Sequence, residues 1–168
     1  MTARILGIDP GLSGGWALID GSARLLDAGN FPTRQTRKNG KASTQLDGRA
    51  LADQLAAYRF DTTAFVEVVS SRPRQAGQFQ FGINCGLLHG ILHAHGIPFE
   101  LVAPAVWKGI FGINRAEDET KAEKKTDARL IAASLYPTHA HMFARVKDDG
   151  VAEAALIALY GLYRISQR

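Results

Sequence analysis

Four acidic residues stand where apolar stretches end or begin. Asp9 closes "RILGID" and precedes Pro10-Gly11, Glu67 sits inside "TAFVEVV", and Asp149 and Glu153 lie in the closing stretch "DDGVAEAALIALYG". Asp149 and Glu153 are four apart and so share a helix face, whereas Asp148 is turned about 140° from Glu153 on an ideal helix. Glu153 is flanked by Ala152, Ala154, Ala155, Leu156 and Ile157, and a carboxylate in so apolar a setting needs a partner. Taken singly, each of the others has a plainer role: Asp9 initiating a turn, Asp148 or Asp149 capping a helix, Glu67 as a surface carboxylate or ion-pair partner. Taken together they point elsewhere. Carboxylates gathered without compensating charge repel one another and take up protons, so such a set implies a divalent cation. Oxygen-only ligation selects Mg²⁺ or Mn²⁺ over zinc. Two such ions about 3.5–4 Å apart are suited to in-line attack of water on a phosphodiester.

The elements that must position these residues can be read from periodicity. Residues 4–8 and 14–19 form two strands around the Asp-Pro-Gly turn, and Leu25 to Asn30 completes a meander. Pro32 to Ser43 is apolar-poor and reads as a basic loop carrying Arg34, Arg37, Lys38 and Lys41. An amphipathic helix from Asp47 to Tyr58 precedes a buried strand at 63–69. Residues 70–77 form a second basic loop with Arg72 and Arg74. A helix from Phe79 to His95 carries the small residues Gly82, Cys85, Gly86 and Ala94, which permit close approach of another helix. The strand Phe99 to Val102 leads into "AVWKGIF", a charged loop, and the helices Lys121 to Tyr136 and Val151 to Ile165. Lys121, Lys124 and Lys125 fall at a helix start. Strands first and helices interleaved later predict an α/β layered domain with a mixed sheet. If the first and fourth strands are neighbours, their carboxyl ends open on one rim, where a helix packed on the sheet can bring its first turn.

A length of 168 residues, 46% hydrophobic and 21% charged, accommodates one domain, residues 1–168, with an ordinary core. The formal charge of +4 favours an acidic partner such as nucleic acid. Cys85 is the single cysteine, which excludes an intrachain disulfide and suits a reducing compartment. No apolar run approaches the roughly 20 residues that span a bilayer, so a soluble cytoplasmic protein with no membrane partner is expected. Trp107 and Phe111 read as core, Cys85 as a small buried packer, and His89 and His93 as buried helix histidines.

The segments "GIDPGLSGGWALID", "VEVV", "FGINCGLLHGIL", "APAVWKGIFG" and "DDGVAEAALIALYG" resemble, in order and spacing, those of RuvC-type Holliday junction resolvases, particularly the phage and prophage branch, over residues 4–163. The resemblance implies a ribonuclease-H-like fold: a mixed five-stranded sheet with helices on both faces. It also implies a homodimer through helix 79–95 and paired nicking of a four-way DNA junction with two Mg²⁺ or Mn²⁺ ions per active site. Asp9 matches the family's first-strand aspartate, Glu67 its fourth-strand glutamate, and Glu153 the second of two acids in its last helix. Three residues before Glu153 stands Gly150, so Asp149 is expected to substitute from one residue back, with Asp148 as a further candidate. Lys108 matches a lysine near the scissile phosphate, and Lys121 or Lys124 a second. Where some members carry a wedging aromatic after the glutamate, this chain has Ser70 and Ser71. Arg34, Arg37, Lys38, Lys41, Arg72, Arg74, Lys121, Lys124 and Lys125 are expected to contact DNA phosphates. Two alternatives stay open: a non-catalytic protein that binds branched DNA, and a nuclease of the same fold acting on RNA or non-junction DNA.

Overall fold

The computed structural model describes residues 3–38, 40–68, 78–113 and 121–168, and at residues 38, 41 and 121–126 the backbone alone. Three strands open the chain, β1 (Arg4–Asp9), β2 (Gly15–Asp20) and β3 (Leu25–Asn30). They are followed by β4 (Thr33–Lys38), β5 (Lys41–Leu46), α1 (Gly48–Ala56), β6 (Thr62–Glu67), α2 (Gln78–Ala94) and β7 (Phe99–Val102). Helices α3 (Pro104–Ile110) and α4 (Lys121–Leu135), two 3₁₀ turns at Pro137–Phe143 and Val146–Asp148, and α5 (Asp149–Ser166) complete it. Among these helices none is long and apolar enough to cross a membrane.

The central sheet has five strands in the order β3-β2-β1-β6-β7. The meander β1-β2-β3 is antiparallel, while β1 pairs with β6, and β6 with β7, in parallel. The mixed sheet and the adjacency of its first and fourth strands agree with the sequence reading.

Side chains alternate across the sheet, and the two faces have separate cores. Leu6 and Ile8 of β1 and Ala64 and Val66 of β6 pack with Leu51 and Leu55 of α1 and with Leu88 and Leu92 of α2. Ile5, Ala17, Ile19 and Phe65 face the other way, against Ala128 and Ala132 of α4 and the inner residues of α5. By the same alternation Gly7 and Asp9 of β1 and Glu67 of β6 belong to the α5 side.

Helix α5 lies on β1 almost backbone to backbone. A Cβ built on Gly7 would stand 2.0 Å from the Ala154 carbonyl oxygen and 2.4 Å from the Ala158 nitrogen, and one on Gly161 2.3 Å from the Phe65 ring. The helix presents Ala152, Ala154, Ala155 and Ala158, all fully buried, to this contact. Small residues on both partners therefore set how near α5 comes to the sheet.

One element departs from the sequence reading. Pro32 to Ser43 does not form a loop: β4 and β5 pair as an antiparallel hairpin, from Thr33 opposite Leu46 to Lys38 opposite Lys41. Gly40 turns it with a φ of +76°, a conformation open to glycine at little cost. Arg72, Arg74 and the expected second basic loop lie outside the described residues.

Candidate metal centre

Asp9 ends β1 and Glu67 ends β6, so parallel pairing brings both acids to the same rim. Glu153 arrives from the opening turns of α5. Each of the three offers a carboxylate oxygen within 4.8 Å of the other two.

Each acid is also held from behind. Asp9 Oδ1 accepts a hydrogen bond from the Gly11 backbone N–H at 3.3 Å, so its turn-forming role is real and coexists with its place in the cluster. Glu67, 9% exposed, accepts from the Trp107 indole N–H at 2.8 Å. Lys108 Nζ donates to Glu153 Oε1 at 3.0 Å and stands 4.9 Å from the centre of the Trp107 ring. Helix α3 thus serves two acids with two consecutive residues. Pro104 begins that helix, where its missing N–H costs nothing, and the buried Trp107 anchors it in the core.

Three carboxylates face one lysine. Burial is the main force pushing Asp9 up to about 7, and the charges of Glu153 and Glu67 push the same way against Gly11 and Lys108. Glu67 is also raised, by burial first and by Glu153, against the opposing pull of Lys108 and Trp107. Among the described residues such a cluster is short of positive charge, and its oxygen-only donors at these separations fit a divalent cation.

The other two candidate ligands, Asp148 and Asp149, do not join this group. Asp149 pairs with Arg129 of α4, Nε to Oδ1 2.9 Å, with both side chains largely buried. Asp148 is fully buried and accepts from the Arg145 backbone N–H at 3.1 Å, its Nε at 2.9 Å and its Nη2 at 2.8 Å, and from the Asn30 amide at 3.4 Å. The Arg145 side chain is the main force holding Asp148 below the usual carboxylate range. The pair borders a cleft shared with Asn30, His141 and Met142. The physical reason for the departure lies at Gly150. A Cβ there would stand 2.6 Å from Gly14 Cα and from the Ser13 carbonyl oxygen, because the turn after β1 bridges directly to the start of α5. The position three residues before Glu153 has no room for a side chain, and the acid one residue back is committed to α4.

Of the cations singled out in the sequence, the structure brings Lys108 to the acids. Arg34 and Arg37 are exposed on β4, Lys38 and Lys41 face each other in register, and Lys121, Lys124 and Lys125 open α4. Trp107 is core as expected but is also the hydrogen-bond partner of Glu67. Its adjacency to Lys108 was the one signal for that second role. Arg129, embedded in an ordinary amphipathic helix, gave no signal. His89 and His93 lie against Phe99, half-buried and exposed respectively rather than buried. Cys85 is also half-buried.

No protein-family model and no curated protein matches the chain. Among solved structures it is similar to Thermus thermophilus RuvC in complex with a Holliday junction substrate, at a TM-score of 0.59 and 17% identity over 97% of this chain and 96% of that one. A structure of Thermus thermophilus RuvC also matches, at a TM-score of 0.46 and 15% identity over 98% and 96% of the two chains. The strand order, the helices on both faces and the end-to-end match to the first of these show that the chain has the ribonuclease-H-like fold of RuvC.

Proposed function

We propose that the chain is a RuvC-type, metal-dependent endonuclease that resolves four-way or related branched DNA by paired nicks, as a homodimer of single-domain subunits in the cytoplasm. The observation that carries this reading is the meeting of Asp9, Glu67 and Glu153 within 4.8 Å on the rim of a sheet with the RuvC fold. The junction specificity comes from that neighbour, which was solved with a Holliday junction substrate.

Asp9, Glu67 and Glu153 would hold the divalent ions, Mg²⁺ or Mn²⁺, two per site. Bound there, such ions supply an activated water and charge stabilisation for phosphodiester hydrolysis. The protein's own groups supply the setting. Trp107 fixes the orientation of Glu67, and Lys108 restrains Glu153 while adding a positive charge beside the phosphate, where negative charge develops. Arg129 and Asp149 tie the start of α5 to α4 and so fix where Glu153 stands. Arg34, Arg37, Lys38, Lys41, Arg72, Arg74, Lys121, Lys124 and Lys125 would hold the DNA backbone.

Helix α2 supports the homodimer. Phe79, Ile83 and Leu87, at successive four-residue steps, are 82%, 46% and 36% exposed. Gly82, Gly86 and Gly90 have no neighbouring atom within 4 Å of an added Cβ. An apolar stripe beside a shallow groove suits a second copy of the same helix.

The test is incubation of the protein with labelled four-way junction, fork, duplex and RNA, with and without Mg²⁺, beside Asp9→Asn. The expected result is symmetric paired nicks in the junction, from the unaltered protein and only with metal. Comparable cutting by Asp9→Asn overturns the metal assignment. Preferential cutting of RNA or plain duplex overturns the substrate, and metal-independent binding with intact strands overturns the enzyme.

A further inference from the structure

Among the described elements, the β4–β5 hairpin stands out as one whose own structure the core does not explain. Its base is pinned: Phe31 is buried and donates its N–H to the Gly14 carbonyl at 3.2 Å, the Asp47 N–H donates to the Pro32 carbonyl at 2.9 Å, and Leu46 is buried. Beyond that base, no described element packs extensively against the two strands. Six residues per strand give a ribbon projecting roughly 20 Å.

The base sits on the rim that carries the acids. Asn30, the last residue of β3, pairs with Gly15, and Gly15 pairs with Asp9. Two strand spacings, about 10 Å, separate the root of the ribbon from the metal-binding aspartate.

The ribbon's composition is unlike that of a self-sufficient hairpin. Between Thr33 and Leu46 it carries Arg34, Arg37, Lys38 and Lys41 and no acid, so the chain's whole formal excess of +4 resides there. The register puts Arg34, Thr36, Ser43 and Gln45 on one face and Gln35, Arg37 and Thr44 on the other. Both faces therefore offer a cation and hydrogen-bonding groups. Leu46 is its one large apolar residue, and a two-stranded ribbon without an apolar face is at best marginal in water. Lys38 and Lys41 occupy directly opposite backbone positions beside the turn. A polyanion enclosing the ribbon satisfies both faces. The major groove of duplex DNA has the width for a two-stranded β-ribbon and phosphates along both walls.

We propose that β4–β5 is a duplex-binding arm that lies in the major groove of a DNA arm leading away from the acidic rim. This rests on DNA being the ligand of the proposed function, and it adds which part of the DNA is held and by which element.

The test uses the whole protein without divalent metal and the exposed-site double variant Arg34→Gln/Arg37→Gln, with thermal unfolding to show that it folds. Binding to a four-way junction is followed by fluorescence anisotropy across a salt series. Dimethyl sulfate probes guanine N7, which opens to the major groove. Loss of two phosphate contacts should lower the slope of log affinity against log salt by roughly 1.8. The unaltered protein should protect N7 positions within one arm for each bound protomer, and the variant should not. An unchanged slope, or no N7 protection by the unaltered protein, overturns the arm. Absence of nicking with Mg²⁺ while slope and protection behave as expected overturns the nuclease reading and leaves the arm standing.

Discussion

Two groups of acids border the opening turns of α5, and they are built on opposite principles. Asp148 and Asp149 each have an arginine, Arg145 and Arg129. Among the described residues, Asp9, Glu67 and Glu153 share a single lysine. Both groups are enclosed, Asp148 more completely than Glu67, but the consequence of burial differs with the cations at hand. The Arg145 side chain outweighs burial and holds Asp148 below its ordinary range, whereas burial first, and the neighbouring carboxylates second, push Asp9 up to about 7. Among the described residues, proximity to a rim or to the start of a helix does not separate acids that have their own cation from acids that share one.

This contrast can be broken most sharply at the acids themselves. Asp9→Asn and Glu153→Gln should each lower metal-dependent nicking at least about 100-fold, with loss of Mn²⁺ binding by calorimetry. Asp149→Asn should keep Mn²⁺ binding, and its loss there would end the distinction between the groups. The converse experiment is Arg129→Met, which removes the guanidinium paired with the largely buried Asp149. It should lower the urea unfolding midpoint measurably, whereas Lys108→Met should be far milder once metal is supplied.

A smaller effect is expected one layer out. Trp107→Phe keeps the aromatic packing but removes the N–H that orients Glu67, and should weaken Mn²⁺ binding by about 10–100-fold with little change in unfolding midpoint. An unchanged affinity would make Trp107 a core residue only.

The least dramatic prediction concerns pH. Asp9 ionises near its ordinary 3.8 when unfolded but near 7 when folded, so the folded state binds more protons between those values. Its contribution to metal-free stability is complete below about 4 and is lost as pH rises through about 7. Asp148 runs the other way: its lowered value gives stability that is present above the ordinary carboxylate range and lost as pH falls through the lowered one. Melting temperature should therefore decline between about pH 4 and 7 without metal, flatten on adding Mn²⁺, and decline less steeply for Asp9→Asn, where the raised Glu67 still contributes. A decline as steep in Asp9→Asn as in the unaltered protein would assign the proton to another group.

Much of this was legible in advance. The five sheet strands follow from apolar runs bounded by turn residues, and Asp9, Glu67 and Glu153 stood out because each interrupts or ends such a run. The hairpin was misread because its strands are polar throughout, so hydrophobic alternation gave no signal, although Asn39-Gly40 between two threonine-containing stretches is a recognised turn pair. Asp149 shares a helix face with Glu153 but pairs with Arg129, because sharing a face does not mean sharing a neighbour.

The order of apolar and acidic residues along the chain by itself determined the sheet, the closing helix and the rim positions of Asp9 and Glu67, because burial and side-chain alternation are local consequences of residue type. What the tertiary structure alone decided was which charges meet. Gly7 lets α5 settle onto β1, Gly150 gives up its side chain to the turn at Ser13 and Gly14, and Arg129 crosses from another helix to claim Asp149. Those are long-range steric and electrostatic facts, set by how closely backbones approach, and no spacing within a single segment encodes them.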